Sequence, residues 1–185
     1  LISDQVKDDA ADAIQSLKRM GVKNIVMLTG DRKEIAESLA AKLGIDQCHS
    51  QLMPQDKLSI VKELKKNNRE GRKTAFAGDG INDAPVLAGS DLGIAMGAMG
   101  SAAAVEAADI VLMNDRPSDI ALAVKISQKT MKIVYQDIVF SLGVKIGVLL
   151  LTTVGFSNMW LAIFADVGVC MLAILNSMRA MKIKA

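Results

Sequence analysis

The spacing of hydrophobic residues divides the chain into two regimes. In the first, short apolar runs alternate with helical patterns. Ala10, Ala13, Ile14 and Leu17 recur at helical spacing, so residues 8–20 are predicted as a helix that Gly21 closes. Residues 25–28 form an unbroken apolar run of the kind seen in buried parallel strands. Thr29-Gly30-Asp31 follows at once, and residues 32–43 read as a helix stopped by Gly44. Residues 47–51 read as a short strand. Pro54 then opens a helix over residues 55–66, at a position where a missing N–H costs nothing. Residues 73–77, 92–96 and 110–113 are further strands. The helical segments between them are residues 84–88 and the alanine-rich residues 101–108. Strands alternating with helices predict an α/β fold with a parallel sheet.

The second regime begins at Pro117. A helical pattern runs amphipathic to about residue 136 and then becomes almost wholly apolar. Residues 138–156 and 159–178 are each long enough to cross a hydrocarbon core of about 30 Å. Ser157-Asn158 is the turn between them, and Lys145 and Asp166 are the only charged residues from 138 to 178. Lys125, Lys129 and Lys132 precede the first span; Arg179, Lys182 and Lys184 follow the second. Basic residues mark the cytoplasmic side, which puts both outer ends and the α/β part inside and the turn outside. The matching basic flanks weigh against a buried hairpin in a soluble protein. The predicted organisation is an α/β part over 1–116, a connecting amphipathic helix over 117–137, a transmembrane hairpin over 138–178 and a cytoplasmic tail over 179–185.

Composition narrows this picture. A net charge of +2 over 185 residues and 3% aromatics give no electrostatic footprint or stacking platform for nucleic acid. Cys48 and Cys170 are far apart and form no Cys-x-x-Cys, so neither a disulfide framework nor a structural zinc site is expected, and a cytosol-facing location is the default. No signal peptide is evident, and the absence of an initial Met is consistent with a start inside a longer chain.

The chemistry gathers where strands end. Gly78-Asp79-Gly80-Ile81-Asn82-Asp83-Ala84-Pro85 reads as strand, tight loop and helix start. Glycines let the backbone approach a ligand, and carboxylate oxygens suit Mg²⁺ beside phosphate. Thr29-Gly30-Asp31 and Lys57 fall at comparable positions. Ligands of open α/β sheets bind at the carboxyl ends of the strands, where a hydroxyl and backbone N–H groups suit phosphate, and a lysine can neutralise a transferring phosphoryl group. Taken singly, these residues also read as a surface turn, a helix cap and a solvated lysine. Their joint occurrence in this order favours a Mg²⁺–phosphate site.

Met27-Leu28-Thr29-Gly30-Asp31, Pro54-Gln55-Asp56-Lys57, Ala77 to Pro85, Ile94-Ala95-Met96-Gly97 and the segment 101–112 together resemble the phosphorylation domain of P-type ATPases, within the haloacid-dehalogenase-like superfamily. Lys145 and Phe164-Ala165-Asp166-Val167-Gly168 resemble the zinc/cadmium/cobalt-exporting subgroup. The resemblance implies a partial haloacid-dehalogenase-like doubly wound sheet followed by a two-helix transmembrane hairpin. It implies that Asp79 ligates Mg²⁺ with Asp83, that Asn82 and Asp83 support the phosphoryl and metal shell, and that Lys57 stabilises a phosphorylated intermediate. Thr29, Gly30 and Asp31 would line the phosphate site and help dock the nucleotide and actuator domains. Asp4, three residues before Lys7, resembles the family's hinge segment. ATP, a transported divalent ion, membrane lipid and upstream domains of the same protein are the implied partners. The family's nucleophile lies in an Asp-Lys-Thr-Gly-Thr motif that this sequence does not contain. Aspartyl-phosphate chemistry needs that carboxylate. The chain therefore reads as the C-terminal part of a longer exporter, inactive alone, with a sheet lacking a central strand. The competing readings are a membrane-tethered phosphatase of the same superfamily and a non-catalytic scaffold.

An ionisable residue within a span is a functional hypothesis by default. A 1.5 Å rise per residue places Lys145 and Asp166 roughly 16 and 10 Å below the turn, within lysine reach of each other. Asp166 is a ligand that zinc accepts, and Lys145 reads as its counter-ion when metal is gone; a purely structural ion pair is the other reading. Cys170, four residues after Asp166, reads either as a further ligand or as a small apolar packing residue. Gly143 and Gly147 form a Gly-x-x-x-Gly pair suited to close helix approach. Cys48-His49 has no third partner nearby in sequence and is not expected to bind metal.

Overall fold

The computed structural model describes residues 7–68, 71–79, 83–97, 102–156 and 159–182, without the side chains of Ala162 and Lys182. The chain divides into two compact units, Leu1–Ala121 and Leu122–Ala185.

In the first unit, β1 (Val26–Leu28) pairs in parallel with β2 (Gln47–His49), Val26 opposite Gln47. A second parallel ladder runs β3 (Ala75–Gly78), β4 (Leu92–Met96), β5 (Ile110–Leu112), with Ala75 opposite Leu92 and Ile94 opposite Ile110. Among the described residues no strand joins the two ladders. The intervening helices are α1 (Ala10–Arg19), α2 (Lys33–Leu43), α3 (Pro54–Asn67), α4 (Ala84–Gly89) and α5 (Ala102–Ala107). Each lies within a few residues of the boundaries that the hydrophobic pattern predicts.

One carboxylate device recurs where the strands begin. Asp46, just before β2, accepts the Ile25 N–H at 2.8 Å, and its own N–H donates to the Ile25 carbonyl at 3.0 Å. Asp91 does the same with Thr74 (2.9 and 3.0 Å), and Asp109 with Gly93 (2.8 and 2.9 Å). Each aspartate thus clamps the start of its own strand to the start of its neighbour. Parallel ladders are slightly less stable per residue than antiparallel ones, so these short strands depend on such end contacts. Lys18 also donates to Asp46 at 2.5 Å, and Lys65 lies 3.3 Å from Asp91.

The core of this unit is Leu87, Ala95 and Ala104, packed with Phe76, Ala107, Ala108 and Val111. Helix α4 lies so close to β4 that a Cβ on Gly93 would come within 2.8 Å of the Leu87 carbonyl oxygen. Asp9 reaches Ser118, accepting its N–H at 3.0 Å, and Lys7 pairs with Asp115. The long helix α6 therefore starts from a carboxylate-capped end.

Helix α6 (Ser118–Thr153) is continuous through the amphipathic and apolar segments. It stops three residues before the predicted position, Phe156. Gly155 takes φ +91°, and the Phe156 N–H closes back onto the Leu151 carbonyl at 3.0 Å, a glycine-dependent helix stop. The predicted turn, Ser157-Asn158, lies outside the described residues. The return segment comprises α7 (Met159–Ile163), a wide π-turn (Phe164–Gly168), α8 (Val169–Ser177) and a 3₁₀ turn (Met178–Lys182). The π-turn was not legible in the sequence. Within this unit Leu149, Leu150 and Leu175 are each at least 60% exposed, as the core helix of a soluble protein would not be. Ser118–Thr153 and Met159–Met181 are long and apolar enough to cross a membrane.

Replacing Gly93 with Ala forces α4 off β4 and is expected to cost about 1–3 kcal/mol in urea unfolding. Gly143→Ala, which meets nothing within 4 Å in this chain, serves as the control. A second expectation concerns acid. The Ser118 hydroxyl and N–H hold the Asp9 carboxyl below the usual carboxylate range; Lys18 and then the Ile25 N–H do so for Asp46, and the Thr74 N–H chiefly for Asp91. Their folded pKa values lie below the unfolded value of about 3.9. The stability they contribute is therefore present above that value and lost as pH falls through the folded values. Urea midpoints should hold from neutral pH to about pH 5 and drop below about pH 4, with a shallower drop in Asp46→Asn/Asp91→Asn.

Candidate functional site

The loops after β1 and β2 are stitched together. The Thr29 N–H donates to the His49 carbonyl (3.0 Å), the Leu52 N–H to the Thr29 carbonyl (3.1 Å), and the Gln51 N–H to the Asp31 carbonyl (2.9 Å). Gln51 takes a left-handed φ of +57°, which turns the chain from β2 toward α3. Thr29 Oγ1 donates to Asp31 Oδ2 at 2.8 Å and accepts the Asp31 N–H at 3.1 Å. Thr29 is half-buried, and Gly30 and Asp31 are exposed. This compact turn presents a hydroxyl and a carboxylate at the carboxyl ends of the strands.

Helix α3 starts from the same place. Asp56 accepts the Met53 N–H at 2.9 Å, satisfying a donor at the helix entry, with Pro54 at the first helical position. Lys57 therefore lies in the first turn. Its Nζ donates to Asp83 Oδ1 at 2.9 Å. Asp83 is buried at 7% exposure and sits at the entry to α4, where its carbonyl accepts the Val86 and Leu87 N–H groups. Its other oxygen lies against the end of β3: a Cβ on Gly78 would be 3.0 Å from Oδ2. Asp79, the next residue, is exposed. Asn82 lies outside the described residues, as does Asp4.

The structure thus joins Thr29 and Asp31 directly, and Lys57 to Asp83. It puts Asp79 at the end of the strand whose last residue, Gly78, touches Asp83. Asp79 and Asp83 carry carboxylate oxygens, hard donors of the type that suits Mg²⁺. No group of three or more His, Cys, Asp or Glu suited to a metal occurs among the described residues.

In the second unit, Lys145 Nζ lies 3.3 Å from Asp166 Oδ1. The pair lines a cleft of about 240 Å³ with Val148, Leu149, Thr152 and Ala165. Asp166 is on the π-turn, where i to i+5 bonds replace i to i+4 bonds. This widening shifts the face on which following residues emerge. Cys170 is exposed, does not line the cleft, and its neighbour Val169 takes the buried position. Cys170 stands four residues after Asp166, just past the end of the π-turn. Sequence reasoning also passed over Asp137, which accepts hydrogen bonds from Asn176 and Ser177. A carboxylate next to an apolar span was the available signal.

Residues 1–91 match the haloacid dehalogenase-like hydrolase family model. The chain is 50% identical over 184 residues to a cadmium, zinc and cobalt-transporting ATPase of Bacillus subtilis, covering 100% of this chain and 26% of that protein. It is also 50% identical over 182 residues to a zinc-transporting ATPase of Synechocystis, covering 98% and 25%. A crystal structure of a zinc-transporting PIB-type ATPase in the E2.Pi state matches 97% of this chain and 29% of its own, with a TM-score of 0.86 at 34% identity. The fold is a haloacid-dehalogenase-like parallel sheet with helices, followed by two long apolar helices. The chain belongs to the heavy-metal-transporting P-type ATPases, and it spans about a quarter of the length of the curated relatives it matches.

Removing the amine from the Lys57–Asp83 pair leaves a buried carboxylate alone. Lys57→Met should destabilise the first unit by about 3 kcal/mol. Adding Asp83→Asn should recover part of that loss, read as a coupling in a double-mutant cycle of unfolding free energies.

Proposed function

We propose that this chain works within a longer ATP-driven exporter of divalent soft metals, Zn²⁺ or Cd²⁺ with Co²⁺ as a third substrate. The observation that carries this reading is the Lys145–Asp166 pair, set between two helices long and apolar enough to cross a membrane. Ionisable groups are rarely kept in such helices without a transport or relay role. The names of the relatives supply the class of metal.

In this reading the first unit performs the phosphoryl chemistry with upstream domains that bring ATP and the nucleophilic aspartate. Mg²⁺, when bound, would be held by Asp79, with the second oxygen of Asp83 available to it, and would offset charge on the phosphoryl oxygens. Lys57 orients Asp83 and adds positive charge at the same edge. Asn82 supports this shell. Thr29, Gly30 and Asp31 offer a hydroxyl, backbone N–H groups and a carboxylate to the phosphate and to the docking domains. In the membrane, Asp166 takes the metal and Lys145 neutralises Asp166 once the metal has left. The domain limits at 116, 137 and 178 and the orientation follow from the same reading. The flanking lysines and Arg179 favour a cytoplasmic side for the α/β part and for both outer ends.

In the complete transporter, Asp79→Asn should abolish Mg²⁺-dependent ATP hydrolysis while nucleotide binding persists. Asp166→Ala should remove Zn²⁺-stimulated hydrolysis; undiminished Zn²⁺ stimulation in that variant would overturn the proposed metal role.

A further inference from the structure

Two apolar helices carry an ion pair whose members must arrive at the same level. Apolar flanks alone fix that level weakly, because neighbouring registers along a helix differ by about 1.5 Å and bury similar side chains. The opposite end of the hairpin holds a polar arrangement that does fix it. Asn176 Nδ2 donates to Asp137 Oδ1 at 2.9 Å, and Ser177 Oγ donates to Asp137 Oδ2 at 2.9 Å. Arg179 NH1 in turn donates to Asn176 Oδ1 at 3.0 Å. Both carboxylate oxygens are engaged, and the amide is used as donor and acceptor. Asp137 and Asn176 are half-buried.

The two arms from this contact to the ion pair are of similar length. Asp137 precedes Lys145 by eight residues, about 12 Å of helix. Asn176 follows Asp166 by ten, about 15 Å in ideal α-geometry. The longer arm contains part of the π-turn, which takes in chain without a full α-helical advance, and the flexible lysine spans the remainder. Asn176 and Ser177 are consecutive, so sliding or rotating α8 by one residue breaks at least one of the two bonds.

We infer that Asp137, with Asn176 and Ser177, is a positioning clasp that sets the register of the two helices so that Lys145 and Asp166 meet. Asp137 does not bind the metal; it acts through the placement of Asp166. This inference rests on the proposed metal role of Asp166.

The test uses the complete transporter and Zn²⁺ itself. ATP hydrolysis is titrated against Zn²⁺, and Zn²⁺ binding is measured separately by equilibrium dialysis. Asp137→Leu should raise the half-saturating Zn²⁺ concentration about 10- to 100-fold in both assays, the range typical of lost outer-shell support. The maximal rate at saturating Zn²⁺ should fall much less. The exchange Asp137→Asn/Asn176→Asp, which swaps acceptor and donor across the contact, should return half-saturation most of the way to wild type. Should Asp137→Leu not accumulate in the membrane, Asp137→Asn alone, which sets two amides face to face, should shift half-saturation in the same direction. An unchanged half-saturation in the single variants, or an exchange variant no better than Asp137→Asn, overturns the clasp while leaving the metal role of Asp166 intact. Unaltered Zn²⁺ stimulation in Asp166→Ala removes that role, and the clasp's function with it.

Discussion

The ion pair between Lys57 and Asp83 is the contact on which the candidate phosphoryl site depends. It ties the first turn of α3 to the entry of α4 and presses a carboxylate against the end of β3. Charges this enclosed are not kept for stability alone, because desolvation offsets much of their attraction. What the pair provides is placement. It holds one amine and one carboxylate at the carboxyl edge of the strands, beside the exposed Asp79 and in the same unit as the Thr29–Asp31 turn. The aspartate clamps at the opposite edge complement it. Asp46, Asp91 and Asp109 fix where neighbouring strands begin, and so fix where they end.

Much of this was legible in the sequence because it is local. A helix start with Pro54 and Asp56 predicts where Lys57 will sit. The Gly78–Pro85 loop announces a strand-to-helix turn whatever surrounds it. The aspartate clamps were not legible, since an Asp before a strand also reads as an ordinary turn residue and only its partner across the ladder reveals its role. The π-turn was hidden for a related reason: Phe164 to Gly168 has the composition of any apolar helix. Faces assigned at 3.6 residues per turn do not carry through such a turn unchanged.

The separation of the strands into two ladders agrees with the absence of the nucleophile motif. In the family resemblance, the strand bearing that aspartate lies in the middle of the sheet. The chain supplies β1–β2 and β3–β4–β5, with no strand among the described residues linking them. Lys57 nevertheless bridges from the helix that follows β2 to the loop that follows β3. The site residues are thus held by side chains and loop hydrogen bonds where sheet hydrogen bonds are not available.

The polar groups of the hairpin divide the same labour differently. Lys145 and Asp166 lie 3.3 Å apart with side chains 58% and 76% exposed within this chain, so neither is enclosed by its own two helices. A metal that replaces the lysine still leaves the Asp166 carboxylate compensated, so the exchange does not strand a lone anion within the span. The Asp137 contact has the opposite character. Each of its oxygens meets a neutral donor from an adjacent residue of one helix turn, and none of its bonds has to break for an ion to pass between Asp166 and Lys145. One polar level can then exchange partners because the other holds the helices in register.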